Sequence, residues 1–300
     1  MRTVYLGTTD FAGTVLERLA GSAHRPTLVI TRPDRPAGRG RRLQSPPVAD
    51  AARALDIPLE QPQSVNADEA RERVAAERPE AVCICAFGAL IKDPLLSDHE
   101  WFNVHPSLLP RWRGAAPIER AIDAGDELTG VSIMRPVAEM DAGPVCLGRD
   151  EPIGPDDDYG SLAGRLSEVA GELLVKALDE APPFFEQPTE GVTLADKIAP
   201  EDRRLDPERW PAVAVWRRVR ALNPHVGAYL ELGGERLGVR RAAAVVDDVA
   251  PGVPVARNGR LLVGCREGAI ELIEVLPAGG RPMPAGDYLR GRGKALVESG

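Results

Sequence analysis

Asn103 and His105 are separated by a single residue in the run Trp101-Phe-Asn-Val-His105. Side chains of an extended strand leave alternate faces, so the carboxamide and the imidazole share one face, and Phe102 and Val104 share the other. Two donors on one face could converge on the oxyanion that forms when a carbonyl is attacked. An imidazole can also carry a proton near neutral pH. Pro106, Pro110 and Gly114 follow directly and stop regular structure, which puts the pair where a strand runs out into a loop. Taken alone, the pattern better fits a core strand with one hydrogen-bonded Asn and one satisfied His.

A second group of side chains is cationic. Residues 32–42 hold five arginines and one aspartate, although the chain as a whole carries a net charge of −8. Pro33, Pro36, Gly38 and Gly40 argue against regular structure there, so Arg35, Arg39, Arg41 and Arg42 are expected on a flexible loop, either solvated or gripping phosphates. Arg217, Arg218 and Arg220 cluster on an expected helix, whose face could be solvated or bind the same polyanion. The acidic balance disfavours non-specific nucleic-acid affinity but leaves room for local patches. Residues 201–300 carry 16 basic against 13 acidic side chains, net +3, and residues 1–200 carry 21 against 32, net −11. Four cysteines and four histidines include no C-x-x-C and no H-x-x-x-H, so no metal is expected. Cys83 and Cys85 lie inside an apolar run and read as buried free thiols in a reducing compartment.

The elements that must position these groups alternate through the first half. Strands are expected at 2–7, 27–31, 57–61, 80–86, 101–105, 129–137 and 145–149, with helices at 11–20, 47–55, 67–77, 116–124 and 159–180. Such alternation implies a doubly wound, Rossmann-like α/β fold with a parallel sheet. The first turn has Gly7 and Gly13 but no G-x-G-x-x-G, which disfavours a nicotinamide or flavin cofactor. A proline-rich stretch follows, then a helix at 211–221 and short β segments at 227–232, 236–241, 253–256, 260–265 and 269–275, with turns at Gly233-Gly234 and Asn258-Gly259. This part reads as a small β-barrel, OB-like domain. The expected organisation is an α/β domain over 1–183, a linker over 184–208 and a C-terminal β-barrel domain over 209–300. The N-terminus shows no signal-peptide pattern and the chain has no long apolar run, so a cytoplasmic protein with no membrane partner is expected, acting as a monomer.

Several motifs together resemble the folate-dependent formyltransferases: Asn103-Val-His-Pro-Ser-Leu-Leu-Pro110, Arg111-Trp-Arg-Gly-Ala-Ala-Pro117 and the downstream Asp141-Ala-Gly143. Gly7-Thr-Thr-Asp-Phe-Ala12, Ala86-Phe-Gly88 and Asn223-Pro-His-Val-Gly-Ala228 add to the likeness, which runs the length of the chain. The resemblance implies formyl transfer from 10-formyltetrahydrofolate to the α-amino group of methionyl initiator tRNA, for translation initiation. It assigns Asn103, His105 and Asp141 to catalysis, with Asp141 as the carboxylate partner of His105. It places Ala86, Phe87, Gly88, Ser107, Leu108, Leu109 and Pro110 around the folate, and Arg35, Arg39, Arg41, Arg42, Arg217 and Arg218 on the tRNA, which makes 1–183 the catalytic domain and 209–300 the tRNA-binding domain. Outside the motif, Asp141 could simply cap an Asx turn, and Leu108 and Leu109 could be core.

This chain departs from the family pattern at two positions. Thr9 stands where Pro is frequent, which bears on loop rigidity. Pro106 removes a backbone N–H beside His105, so oxyanion donation there must come from side chains. A formyltransferase acting on an amino-sugar nucleotide or a glycinamide ribonucleotide would need neither the arginine segment nor a β-rich C-terminal domain. A tRNA-binding protein without catalysis would not need Asn103, His105 and Asp141 together.

Overall fold

The apolar runs of the first half become strands, and the amphipathic stretches between them become helices. The computed structural model describes residues 1–37 and 42–293. In chain order the first elements are β1 (Thr3–Gly7), α1 (Asp10–Ala20), β2 (Pro26–Ile30), β3 (Arg35–Ala37), β4 (Arg42–Gln44), α2 (Pro47–Ala54), β5 (Leu59–Glu60), α3 (Asp68–Ala76), β6 (Ala81–Cys85) and β7 (Trp101–His105). Then come β8 (Arg113–Gly114), α4 (Pro117–Ala124), β9 (Leu128–Met134), β10 (Val145–Pro152), α5 (Tyr159–Glu180) and β11 (Leu194–Ala195). The chain divides into two units. Met1–Pro117, Leu128–Pro152 and Ala163–Ala195 form the first; Ile118–Glu127, Ile153–Leu162 and the residues from Asp196 onward form the second.

The first unit is built on a seven-stranded sheet in the order β10-β9-β7-β6-β1-β2-β5. Strands β5, β2, β1, β6 and β7 are parallel, while β9 runs antiparallel to β7 and β10 antiparallel to β9. Every residue of β1 and β6 is buried, the pattern of strands covered on both faces. Val4, Leu6, Leu28, Ile30, Val82, Ile84 and Trp101 pack in one cluster of this unit. Burial at this level pushes the Cys83 and Cys85 thiols up to about 12, and all four cysteines are free and buried. Because β1 has β2 on one side and β6 on the other, the strand order reverses there, and in such sheets ligands bind outside the carboxyl ends of the strands at that point. Thr9 has a definite task at this edge: its hydroxyl accepts the Ala12 N–H and caps α1.

The cationic segment is not wholly irregular, contrary to the sequence expectation. Arg35 pairs with Gln44, Pro36 with Leu43 and Ala37 with Arg42 in an antiparallel ladder of β3 and β4. This ladder has only two strands, so a proline costs it one donor at an edge, which edge strands tolerate. Arg39 and Arg41 lie outside the described residues, as does the side chain of Arg42.

The second unit has a 3₁₀ turn at Pro200–Arg203, then α6 (Ala212–Leu222), β12 (Ala228–Leu232), β13 (Glu235–Val245), β14 (Pro254–Arg257), β15 (Arg260–Gly264), β16 (Ala269–Pro277), β17 (Met283–Pro284) and α7 (Ala285–Arg290). Its antiparallel sheet runs β12-β13-β16-β15-β14, with β17 added to β16. Strand β13 extends past the expected residue 241 because β16 pairs with it as far as Val245. Asn258 and Gly259 both take positive φ, +53° and +76°, as a two-residue hairpin turn requires. Val215, Val219 and Leu222 of α6 share a core with Leu230, Val239, Ile270 and Leu272.

Candidate active site

Strand β7 lies between β6 and β9, with Asn103 opposite Ile84 and Met134 and His105 opposite Ser132. The strand's alternation sends both polar side chains to one face. His105 is almost wholly buried, 4% exposed, so the partners of its ring decide its chemistry. Nε2 lies 2.8 Å from the carbonyl oxygen of Trp112. A carbonyl can only accept, so Nε2 carries hydrogen and donates. In the neutral ring Nδ1 is then the nitrogen without hydrogen, and it faces Asp141 Oδ2 at 3.6 Å. That gap is an ion-pair distance beyond direct hydrogen-bond reach. The carboxamide of Asn103 makes no hydrogen bond to another described residue, and the side chain is partly exposed. A donor at position 103 is thus uncommitted, whereas one of the two ring donors at 105 is already taken by Trp112.

Asp141 arrives on the loop between β9 and β10, with its backbone in the left-handed region at φ +50°. Its Oδ2 accepts the Gly114 N–H at 3.0 Å. Gly114 belongs to β8, which pairs in parallel with β11 through Arg113↔Leu194 and Gly114↔Ala195. At φ +127°, a Cβ on residue 114 would sit 2.6 Å from the Ala195 carbonyl oxygen, so only glycine brings this N–H to the carboxylate. Gly143 is required for a similar reason: its Cβ would lie 1.9 Å from the Arg135 carbonyl oxygen. The D-x-G spacing therefore reflects a carboxylate followed by a close crossing of two backbone segments.

The loop after His105 is stitched internally. The Ser107 side chain is fully buried, and its hydroxyl donates to the Arg111 carbonyl at 2.6 Å. The Ser132 hydroxyl donates to the Ser107 carbonyl at 2.7 Å and accepts the Leu109 N–H at 3.1 Å. Ser107, expected beside the folate, thus spends its hydroxyl on the shape of the loop. Leu108, Leu109 and Pro110 are partly exposed, and Leu108 lies against Gly130 of β9. Past the end of β6, Ala86 and Gly88 turn at φ +42° and +76° and are exposed. Phe87 between them is buried, and its carbonyl accepts the Thr8 hydroxyl at 2.8 Å, joining the ends of β6 and β1.

The expected polyanion contacts divide. Arg35 is exposed on β3. In the second unit, Arg218 is turned inward, against expectation: Nε and Nη2 each donate to the Asp123 carboxylate at 2.7 Å, and Nη1 donates to the Asp202 carbonyl at 2.9 Å. At 16% exposure this guanidinium is a bidentate ion pair and not a surface charge. Arg217 lies over Gly125, with Nη1 donating to the Ala124 carbonyl at 3.3 Å. It has no carboxylate partner among the described residues. The sequence reading also missed three contributors: the Trp112 carbonyl, the Gly114 N–H, and Gln187, whose side chain reaches the Asp141 loop. Gly114 carried a faint signal as a glycine beside two alanines, whereas Gln187, inside a proline-rich stretch, carried none.

Comparison with known proteins shows the family. The family described as "Formyl transferase" matches residues 1–178, and "Formyl transferase, C-terminal domain" matches residues 197–293. The chain is 43% identical over 300 residues to a protein named methionyl-tRNA formyltransferase from Halorhodospira halophila, covering 97% of this chain and 96% of that protein. It is 39% identical over 295 residues to the protein of the same name from Paracoccus denitrificans, covering 97% of each. Among solved structures, methionyl-tRNA formyltransferase from Clostridium thermocellum shares the fold at TM-score 0.59 and 15% identity, over 92% of this chain and all of that one. HypX from Aquifex aeolicus in complex with tetrahydrofolic acid shares it at TM-score 0.68 and 20% identity, over 99% of this chain and 48% of that one.

Proposed function

The chain belongs to the formyl transferase family, and on that premise we propose that Asn103, His105 and Asp141 carry its reaction. That reaction is transfer of a formyl group from 10-formyltetrahydrofolate to the α-amino group of methionyl initiator tRNA, the activity named for relatives about 40% identical over nearly the whole chain. The unprotonated amine attacks the formyl carbon. With a pKa near ~8, an α-amino group supplies enough of that form without an activated protein nucleophile. The carbonyl electron pair moves onto oxygen, and the Asn103 carboxamide donates to the oxyanion. Collapse expels the folate nitrogen, which takes up a proton as the attacking amine gives one up. His105 serves this exchange through Nδ1, with Asp141 opposite it across a gap that a water or the reacting nitrogen can bridge.

The observation that carries the assignment is the pairing of the two ring contacts: Nε2 fixed on Trp112 and Nδ1 aimed at Asp141. The exposed turn at Ala86 and Gly88 and the loop Ser107–Pro110 border the folate through backbone groups and apolar surface. Arg35, Arg39, Arg41 and Arg42 meet phosphates of the acceptor stem, and Arg217 is the second unit's contribution. We place the reaction in the cytoplasm and treat the chain as a monomer. His105→Ala and Asp141→Asn should each lower kcat by about 10²–10⁴ while leaving the KM for tRNA within a few-fold. Steady-state kinetics with methionyl initiator tRNA, beside an amino-sugar nucleotide as rival amine, checks both substrate and roles. Near wild-type turnover in either variant would remove that residue from the mechanism.

A further inference from the structure

We propose that Gln187 is a positioning residue that holds Asp141 against His105. Its carboxamide makes three contacts. Nε2 donates to the Asp141 carbonyl at 2.8 Å and to the Gly143 carbonyl at 2.7 Å, and Oε1 accepts from Arg113 Nε at 2.9 Å. The partners dictate which amide atom is which, because carbonyls only accept and a guanidinium only donates. A residue other than glycine at φ +50° sits in a sparsely populated region and persists there only where its surroundings over-determine it. Gln187 supplies that restraint by tying the carbonyls on either side of Ala142 to one rigid amide. Through Oε1 the same amide reaches Arg113, the neighbour of Gly114, whose N–H donates to Asp141 Oδ2 at 3.0 Å. One side chain therefore spans the backbone of Asp141 and the strand that donates to its carboxylate.

Gln187 is itself anchored on both sides. Phe185 exchanges both backbone hydrogen bonds with Val145, at 2.8 and 2.9 Å. Thr193 Oγ1 accepts the Trp112 N–H at 2.8 Å, and the Thr193 carbonyl accepts the Arg113 N–H at 2.9 Å. Trp112 is the residue whose carbonyl orients His105. The segment 185–193 thus reaches Asp141 directly and His105 through Trp112, where the sequence suggested only a linker.

The inference rests on Asp141 serving His105, and Gln187 acts only through it. In Gln187→Glu a group with no hydrogens faces two carbonyl oxygens, and in Gln187→Met the size is kept and the donors are lost. Both variants should lower kcat by about ten- to a hundredfold, the scale of a small misplacement at a reacting group, with the KM values for folate and tRNA within about twofold. Introduced into Asp141→Asn, either change should cost no further activity, because the carboxylate it positions is gone. Rescue by the conservative Gln187→Asn should be partial. Unchanged kcat in both single variants, a raised KM at constant kcat, or losses that multiply with Asp141→Asn would each overturn the proposal. Failure of the underlying reading has its own signature: Asp141→Asn alone would turn over normally, and any loss in the Gln187 variants would then be structural and would refute the positioning role as well.

Discussion

At the level of single residues, the proposed mechanism divides the work between His105 and Asn103 according to what each has already committed. One ring nitrogen of His105 is held by the Trp112 carbonyl, which leaves Nδ1 facing Asp141. Asn103 has no protein partner for its carboxamide among the described residues, so its donor is free for the oxyanion. Pro106 sharpens this division, since no backbone N–H is present at that position to share the task. Asn103→Ala should lower kcat by about 10²–10³, the usual cost of one oxyanion donor, with folate and tRNA binding preserved. Rapid-quench single-turnover measurements separate that chemical loss from slow product release. A loss confined to KM would instead assign Asn103 to substrate binding.

At the level of elements, short ladders set the geometry of the site. The β8–β11 pairing brings Gly114 to Asp141, and Ser132 of β9 pins the loop that leaves β7. In the second unit the comparable device is ionic. Asp202 accepts the Ala199 N–H at 2.9 Å and an Arg120 Nη2–H at 3.0 Å, with Arg218 nearby. Burial works to raise its carboxyl pKa, but the Ala199 N–H and the two guanidiniums outweigh it and hold it below the ordinary value. A depressed folded pKa stabilises the fold above the unfolded value of about 3.9, and that contribution is lost as pH falls through the folded value. Asp202→Asn should therefore be less stable than the parent near neutral pH, with the two converging in strong acid. Urea melts across that range check the sign, and a pH-independent difference would mean the network acts through packing alone.

At the level of the whole molecule, an acidic protein has to recruit a polyanion through local charge. The segment from Arg32 to Arg42 holds five arginines within a chain of net charge −8. Within and beside it, Arg35–Ala37 and Arg42–Gln44 pair as an antiparallel ladder. Replacing Arg41 and Arg42 together by alanine should raise the KM for tRNA most at low salt. It should also flatten the dependence of log KM on log salt by roughly 0.7–0.9 per lost phosphate contact. Folate KM should not move. Identical salt slopes would take these two side chains off the tRNA. Arg218, by contrast, is already neutralised by Asp123, and its loss should appear as lower stability, not as weaker tRNA binding.

What could be read from the chain alone was whatever local sterics govern. Period-two alternation put Asn103 and His105 on one face, apolar runs marked β1 and β6, and Asn258-Gly259 announced a hairpin, because each depends on a few adjacent residues. Motif resemblance added Asp141, which no local rule would have linked to His105. Other features depend on contacts between residues far apart in sequence. Arg218 meets Asp123 across 95 positions, and Gln187 meets Asp141 across 46. A side chain's charge or amide is visible in sequence, but whether it faces solvent, substrate or a buried partner depends on which distant backbone the packing brings beside it. Arg218 therefore turned from an expected phosphate contact into an internal ion pair. For the same reason, a glutamine in a proline-rich stretch is in position to hold the carboxylate of the site.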